Sequence, residues 1–298
     1  MPDHSSLKNK FGEYCLFDEP AANFTTYRAG GRAEVLVKPA DEGEFLWLAA
    51  WCRANAARLL VLGRGSNVLV SDRGLPGVTA LTERLCKIEI SGAAVTAQAG
   101  VLWDQAARLT AESGLAGFEK TSGIPGSVGG ALRMNAGAFG QETYDRLVSI
   151  EAFNAAGEPV RLLKKDMKYG YRRVEGLAGL TLVSARFELE PGDRAALIQD
   201  RSCVLAARDV KQPLDLPSAG SVFKRPPGDY ASRLIDAAGL KGHKIGGAEV
   251  SAKHAGFIVN SGGATAAEIY ALMGEVRARV KEKTGVDLEL EQILLGEF

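Results

Sequence analysis

Between Gly123 and Gly140 the chain reads GIPGSVGGALRMNAGAFG, and 6 of its 35 glycines fall within these 18 residues. Glycine gives up more backbone entropy on folding than any other residue. It recovers that loss only where φ must be positive or where something must touch the main chain. The segment also contains a proline and lacks a run of residues that would make an ordinary helix. The expectation is an irregular stretch with packed backbone, or a ligand, lying against it.

A second glycine-rich stretch, GRGSNV at Gly63 to Val68, stands about 60 residues earlier. It invites the dinucleotide-binding fingerprint, but the third glycine is missing and a strand, NVLVSD, follows where that fingerprint needs a helix. Two glycines with Ser66 and Asn67 between strands can instead form a nest of N–H groups suited to a pyrophosphate. Taken alone, the stretch reads equally as a tight turn. Two such stretches in one chain point to two subdomains clasping one elongated, phosphate-bearing ligand.

The chain around them reads as soluble and mixed. At 298 residues it is long enough for about two domains. Lys plus Arg number 36 and Asp plus Glu 36, which leaves no net field to draw in nucleic acid. The N-terminus, MPDHSSLKNKFGEY, has no apolar core of a leader, and no apolar run approaches the roughly 18 residues that span a bilayer. The expectation is a cytoplasmic protein with no membrane partner. Cys15, Cys52, Cys86 and Cys203 are scattered and read as free, mostly buried thiols; His4, His243 and His254 are too isolated for a triad or a metal cluster. No metal site is expected.

Periodicity predicts helices in EGEFLWLAAWCRANA, VLWDQAARLTAESG, RAALIQDRSCVLAARD, DYASRLIDAAG and ATAAEIYALMGEVRARVKEKTG. It predicts hairpins turning at Ser91-Gly92 and Ala156-Gly157, a turn at RGLPG, and a final strand VDLELEQILL. The PGD turn at Pro191 to Asp193 is a candidate domain boundary.

Three further segments could carry chemistry. YGYRR places Arg172 and Arg173 in a loop before a strand, where a guanidinium can grip a carboxylate or phosphate, although exposed arginines are common. In PSAGSVFKRPPG, Ser221 has no histidine nearby to act as the base of a hydrolase. LELEQILLGEF carries Glu289, Glu291 and Glu297, and alternate positions of a strand share a face.

Taken in order, TTYRAGG, GRGSNVLV, SGIPGSVGGALRMNAGAFG, GYR, PSAGSVFK, GGAEVSAKHAGFIVN and LELEQILLG resemble the UDP-N-acetylenolpyruvoylglucosamine reductase (MurB) family, from about Thr25 to Gly296. The run from AGAFG straight on to YGYRR is similar to the shorter family type that lacks an inserted segment. The resemblance implies an α+β protein. It would have a vanillyl-alcohol-oxidase (PCMH)-type FAD-binding fold of two subdomains, residues 1–80 and 81–192, and a C-terminal α+β substrate-binding domain, residues 193–298. FAD would be held noncovalently by Gly63, Arg64, Gly65, Ser66 and Asn67 and by Gly123, Ile124, Pro125, Gly126, Ser127 and Gly130.

The resemblance further implies an NADPH-dependent flavoenzyme of peptidoglycan precursor synthesis, which reduces the enolpyruvyl ether of UDP-N-acetylglucosamine-enolpyruvate to UDP-N-acetylmuramate. Hydride would pass from the flavin N5 to C3 of the enolpyruvyl group and a proton to C2. Arg172 would hold the substrate carboxylate and stabilise the enolate-like charge, Ser221 would give the proton, and Glu291 would assist. Tyr171, Lys224 and Arg225 would bind substrate, and the protein would act as a monomer. Three departures stand out: Val174 where many relatives have serine, Arg225 where asparagine is frequent, and Leu290 and Gln292 around Glu291 where proline and valine are common. The alternatives are another FAD-linked oxidoreductase of the same fold acting on a small alcohol or sugar, or a non-catalytic nucleotide-binding module. The first often attaches FAD through a His or Cys that neither glycine-rich stretch contains, and the second would not need Arg172, Ser221 and Glu291 together.

Overall fold

The computed structural model describes residues 4–298; the first three residues, where the polar N-terminal stretch begins, lie outside the described part. The chain forms two compact units. One gathers the residues up to Leu16, Leu36–Arg64 and Gly77–Arg208; the other gathers Phe17–Val35, Gly65–Pro76 and Asp209–Phe298. The chain crosses from one to the other inside the strands Cys15–Pro20, Arg32–Val37 and Leu75–Leu81 and inside GRGSN.

The first unit begins with helix α1 (Ser5–Phe11) and helix α2 (Glu42–Ala54). Asp41 starts α2 by accepting the Glu44 N–H at 2.9 Å, and Phe45, Leu48 and Cys52 bury one face at helical spacing. The strand Leu59–Leu62 pairs in parallel with Leu75–Leu81, from Leu59↔Val78 to Leu62↔Leu81. The latter strand runs straight through Pro76 and Gly77, where the sequence reads as a turn.

A five-stranded antiparallel sheet follows, in the order Pro159–Leu163, Leu147–Phe153, Thr181–Glu188, Ala94–Gln98, Ile88–Ser91. Both expected hairpins are present, closed by the pairs Ser91↔Ala94 and Phe153↔Pro159. Helices α3 (Trp103–Glu112), α4 (Val128–Met134) and α5 (Arg194–Lys211) complete the unit, α5 as far as Arg208. Trp103 is fully buried against the rings of Phe118 and Phe187, with centroids 4.8 and 6.0 Å away. Its indole N–H donates to the Thr121 hydroxyl at 2.9 Å, so the polar end of the ring is satisfied inside the core.

Helix α4 corrects the expectation that the glycine-rich segment forms no helix. Gly129 and Gly130 sit in its first turn, where helix propensity weighs least, and the Ser127 side chain accepts the Gly130 N–H at 3.4 Å. Burial of Val128, Ala131 and Leu132 supplies the packing that overrides the glycine penalty of about 1 kcal/mol each.

The second unit holds helices α6 (Ala231–Ala237) and α7 (Ala266–Thr284) and an antiparallel sheet in the order Lys244–Ile245, Ala248–Val250, Ile258–Asn260. Thr265 and Glu268 form a reciprocal capping box at the start of α7, and the Asp72 carboxylate accepts the N–H groups of Ala266 and Ala267 at 2.9 and 2.8 Å. The expected ten-residue final strand is shorter. Only Ile293–Leu295 is regular, paired in parallel with Val68–Val70. Upstream the chain changes partner and bridges Phe223 through Leu290. The four cysteines are free; Cys15 and Cys52 are buried but Cys86 and Cys203 are exposed, so the thiols are not mostly buried.

Candidate functional site

The glycine-rich segment of the first unit has few side chains to bury, and its own main chain holds it. Val128 N–H donates to the Val101 carbonyl at 2.9 Å and Gly129 N–H to that of Ala99 at 2.8 Å, while the Gly126 carbonyl accepts from Trp103 at 2.9 Å. Gly123 N–H donates to the Asp104 carboxylate at 2.7 Å. Ser127 is buried on this inner side; Ile124 is half-buried, as are Gly123, Gly126 and Gly130, and Pro125 is exposed.

The first glycine-rich stretch meets the second within the same unit, because a Cβ on Gly63 would collide with the Ser127 hydroxyl. Arg64 is exposed beside it. A Cβ on Gly130 would meet only the Ser127 oxygen, at 3.7 Å, and its φ is not positive. Nothing in the protein itself demands glycine there. Nearby, the buried hydroxyls of Thr82 and Ser122 have no hydrogen-bond partner. A buried polar group left unpaired costs about 1–3 kcal/mol, so open glycine backbone beside orphaned hydroxyls fits a bound polar ligand.

Arg172 belongs to this same segment by contact. The YGYRR stretch is a small hairpin, Tyr169–Gly170 paired with Arg173–Val174, rather than a loop leading into a strand. Arg172 takes its second turn position with φ at +53°, a left-handed conformation that costs a non-glycine residue roughly 1 kcal/mol or more. Its guanidinium donates to the carbonyls of Asn135 at 3.1 Å and Gly137 at 2.9 Å. The Tyr171 ring lies 5.0 Å away.

Asn135 ends α4 in the left-handed region, φ 42°, fully buried. Its side chain donates to Glu142 at 2.6 Å and to the Gly170 carbonyl of the hairpin at 3.1 Å, and accepts the Tyr144 N–H at 3.1 Å. One residue therefore joins the glycine-rich helix to the turn that carries Arg172.

Sequence reasoning missed the charges beneath Gly123. Asp104 on α3 takes Arg201 of α5 at 2.6 Å, and buried Arg208 lies one heptad further along α5, its guanidinium 5.9 Å from the Phe139 ring centre. Burial pushes the Arg208 pKa down, Asp104 pushes it up and Arg172 pushes it down. The spacing of Arg201 and Arg208, which places both on one helix face, was the available signal.

In the second unit Gly65 has φ +61°, and a Cβ there would run into the backbone of Phe24 and Thr25, so the turn alone explains this glycine. Ser66 is half-buried. Asn67 donates its amide to the Glu291 carbonyl at 3.1 Å. Glu291 N–H in turn donates to the Val222 carbonyl at 2.8 Å, which puts Glu291 on the chain segment beside Ser221. Lys224 N–H bonds the Glu289 carbonyl at 2.8 Å and its ammonium pairs with the Glu289 carboxylate, while the Arg225 guanidinium lies 4.5 Å from the Tyr230 ring centre. Thus the structure brings together Gly63, Ser127, Gly130 and Arg172 in one unit and Asn67, Ser221, Lys224 and Glu291 in the other. Among the described residues no group of His, Cys, Asp and Glu could hold a metal ion.

Residues 212–295 match the family model described as UDP-N-acetylenolpyruvoylglucosamine reductase, C-terminal domain, and residues 33–163 match the model described as FAD binding domain. The chain is 47% identical to the UDP-N-acetylenolpyruvoylglucosamine reductase of Methylococcus capsulatus, covering 95% of this chain and 93% of that one. It is 42% identical to that of Lactococcus lactis subsp. cremoris over the whole of both chains. Among solved structures it resembles UDP-N-acetylenolpyruvylglucosamine reductase from Thermus caldophilus, with 34% identity, a TM-score of 0.81, and coverage of 95% of this chain and 98% of that chain.

The role given to Asn135 is testable by stability. Asn135→Ala strands the Tyr144 N–H and puts a side chain with no αL preference at φ 42°, and should cost about 2–4 kcal/mol in urea unfolding. Asn135→Gly should recover about 1 kcal/mol of this, the backbone part. An Asn135→Ala midpoint equal to that of the parent would contradict the assignment.

Proposed function

The chain belongs to the UDP-N-acetylenolpyruvoylglucosamine reductase family, and we propose on that premise that it is the FAD-binding oxidoreductase of peptidoglycan precursor synthesis that reduces UDP-N-acetylglucosamine-enolpyruvate to UDP-N-acetylmuramate. NADPH is the electron donor. The observation that carries this reading is the tie between Arg172 and the glycine-rich segment: residues that suit a flavin nucleotide and a residue that suits a carboxylate are built on one piece of backbone.

The residues present fit FAD. Gly63, Arg64, Gly65, Ser66 and Asn67, with Gly123, Ile124, Pro125, Gly126, Ser127 and Gly130, would hold it, and the unpartnered hydroxyls of Thr82 and Ser122 lie beside them. Neither stretch contains a His or Cys that could anchor it, and we propose that it binds noncovalently. When bound, FAD supplies the two-electron relay between nicotinamide and the enolpyruvyl group.

The protein's own residues supply the rest. Arg172 has a rigid fork of donors, two of which are already spent on main-chain carbonyls; this orients the plane of the guanidinium before substrate arrives. It would bind the substrate carboxylate and stabilise the negative charge that spreads onto it from C2 once hydride has reached C3. Ser221 gives the proton to C2. A hydroxyl is a weak acid, but an enolate-type carbon is a strong base, and a donor held within hydrogen-bond reach avoids most of the cost of an encounter. Glu291, on the segment paired to Val222, supports that transfer by hydrogen bonding or as an acid. Tyr171, Lys224 and Arg225 bind the remainder of the substrate.

Functionally we divide the chain into FAD-binding parts at residues 1–80 and 81–192 and a substrate-binding part at 193–298. We further propose a cytoplasmic monomer whose partners are small molecules, with neither nucleic acid nor membrane among them. Among the described residues no helix is long and apolar enough to cross a membrane.

Two experiments test the reading. Gly130→Ala fills open space and improves helix propensity by at most about 1 kcal/mol, so the flavin-free protein should melt no lower than the parent while purified flavin content falls. Full flavin occupancy in this variant would remove Gly130 from the site. Ser221→Ala should slow reoxidation of the reduced flavin by the enolpyruvyl substrate by about 10²–10⁴-fold, as expected for loss of a positioned acid, and leave reduction by NADPH nearly unchanged. Stopped-flow absorbance separates the two half-reactions, and a parent rate of reoxidation in Ser221→Ala would show that Ser221 is not the acid.

A further inference from the structure

We infer that Gln292 is a positioning residue for proton delivery: its side-chain amide, held from behind by Tyr27, fixes the Ala219–Gly220 backbone and with it the place of Ser221 beside Glu291. The inference rests on the reading of Ser221 as the acid.

Gln292 is only 4% exposed, at the position that alternation places on the same face as Leu288, Leu290 and Leu294. A buried primary amide is expensive unless its donors and acceptor are matched. Here they are. Both Nε2 hydrogens are used, on the carbonyls of Ala219 at 3.0 Å and Gly220 at 3.1 Å, and Oε1 accepts the Tyr27 hydroxyl at 2.9 Å. The two carbonyls can only accept, so the amide fits one way round. Tyr27 is fully buried, and burial pushes its phenol well above the usual range while the bond to Gln292 opposes this. The phenol therefore stays a donor at any working pH.

The position of these bonds gives them their meaning. Gly220, left-handed at φ +74° and with no side chain to pin it, forms a backbone hinge point immediately before Ser221. After Ser221 the chain is held by main-chain bonds: Val222 N–H to the Gly256 carbonyl at 2.9 Å, Glu291 N–H to the Val222 carbonyl at 2.8 Å, and a bridge between Phe223 and Leu290. Before Ser221, the Gln292 amide takes over from the backbone and grips both carbonyls of the hinge. Residues 290–292 thus fix the chain on both sides of Ser221, and Glu291 lies at the centre of that grip. Displacing a reacting group by about 1 Å can cost on the order of 10²-fold in rate. Loss of this amide should therefore appear in the proton-dependent step without touching the rest of the enzyme.

Gln292→Met keeps the length of the side chain and removes every hydrogen bond. In the holoenzyme it should slow flavin reoxidation by the enolpyruvyl substrate about 10–100-fold, with flavin content and reduction by NADPH unchanged within about twofold. Tyr27→Phe, which unlocks the amide but spares its bonds to the hinge, should act in the same direction by about 2–5-fold. A structural role alone would also lower stability, so the decisive readout is coupling. In the Ser221→Ala background, where no positioned proton remains, adding Gln292→Met should cost less than about twofold. Equal slowing of both half-reactions, effects of the two substitutions that multiply, or a parent reoxidation rate in Gln292→Met with Ser221→Ala slow would each overturn the positioning role. A parent rate in Ser221→Ala would instead remove the acid assignment and this inference with it. Should Gln292→Met fail to fold, Tyr27→Phe carries the same cycle.

Discussion

A glycine-rich strip has few side chains to hold it, and the main-chain hydrogen bonds that pin residues 123–137, with the burial of Val128, Ala131 and Leu132, are what the placement of Arg172 depends on. The N–H groups of Val128 and Gly129 are tied to the carbonyls of Val101 and Ala99, and that of Gly123 to the Asp104 carboxylate. Backbone bonding on one edge leaves the half-buried glycines of the other edge open to a ligand. The same strip ends at Asn135 and Gly137, whose carbonyls hold the guanidinium of Arg172. On the function proposed above, the grip on the cofactor and the grip on the substrate would therefore be mechanically linked.

The electrostatics follow from that arrangement. A guanidinium stays charged even where burial lowers its pKa, so Arg208 places a lasting positive charge under Gly123, shared with Asp104 and Arg201. A diphosphate lying on the open glycine edge would feel that charge through little solvent. In the second unit a neutral amide does comparable work. Gln292 spends three hydrogen bonds on the hinge before Ser221 and on Tyr27, and if Ser221 is the acid we propose, the site gains from an orienting group that cannot itself titrate.

Much of the fold was legible because it rests on local pattern. The periods of α2, α3, α5 and α7 and the turns at Ser91-Gly92 and Ala156-Gly157 appear where spacing placed them. Helix α4 was hidden, because its propensity is poor and the burial of Val128, Ala131 and Leu132 that forms it is tertiary. The last strand was overread because alternation continues through residues that exchange one partner for another. Of the candidate site, the motif residues can be named from the sequence, and the residues bonded around them cannot. Asn135 looks like any residue of a glycine-rich loop, and the partners of Gln292 lie 265 and 73 residues away in the chain. Such contacts leave no local mark.

We propose that Arg172, held on the glycine-rich strip, acts on the substrate carboxylate and not on the nicotinamide. Anaerobic stopped-flow absorbance of Arg172→Lys tests it most directly, since lysine keeps the charge but loses the planar fork that reaches both carbonyls. Reduction of the bound flavin by NADPH should proceed at a rate close to that of the parent, followed by loss of reoxidation by UDP-N-acetylglucosamine-enolpyruvate. Equal loss in both half-reactions would contradict it.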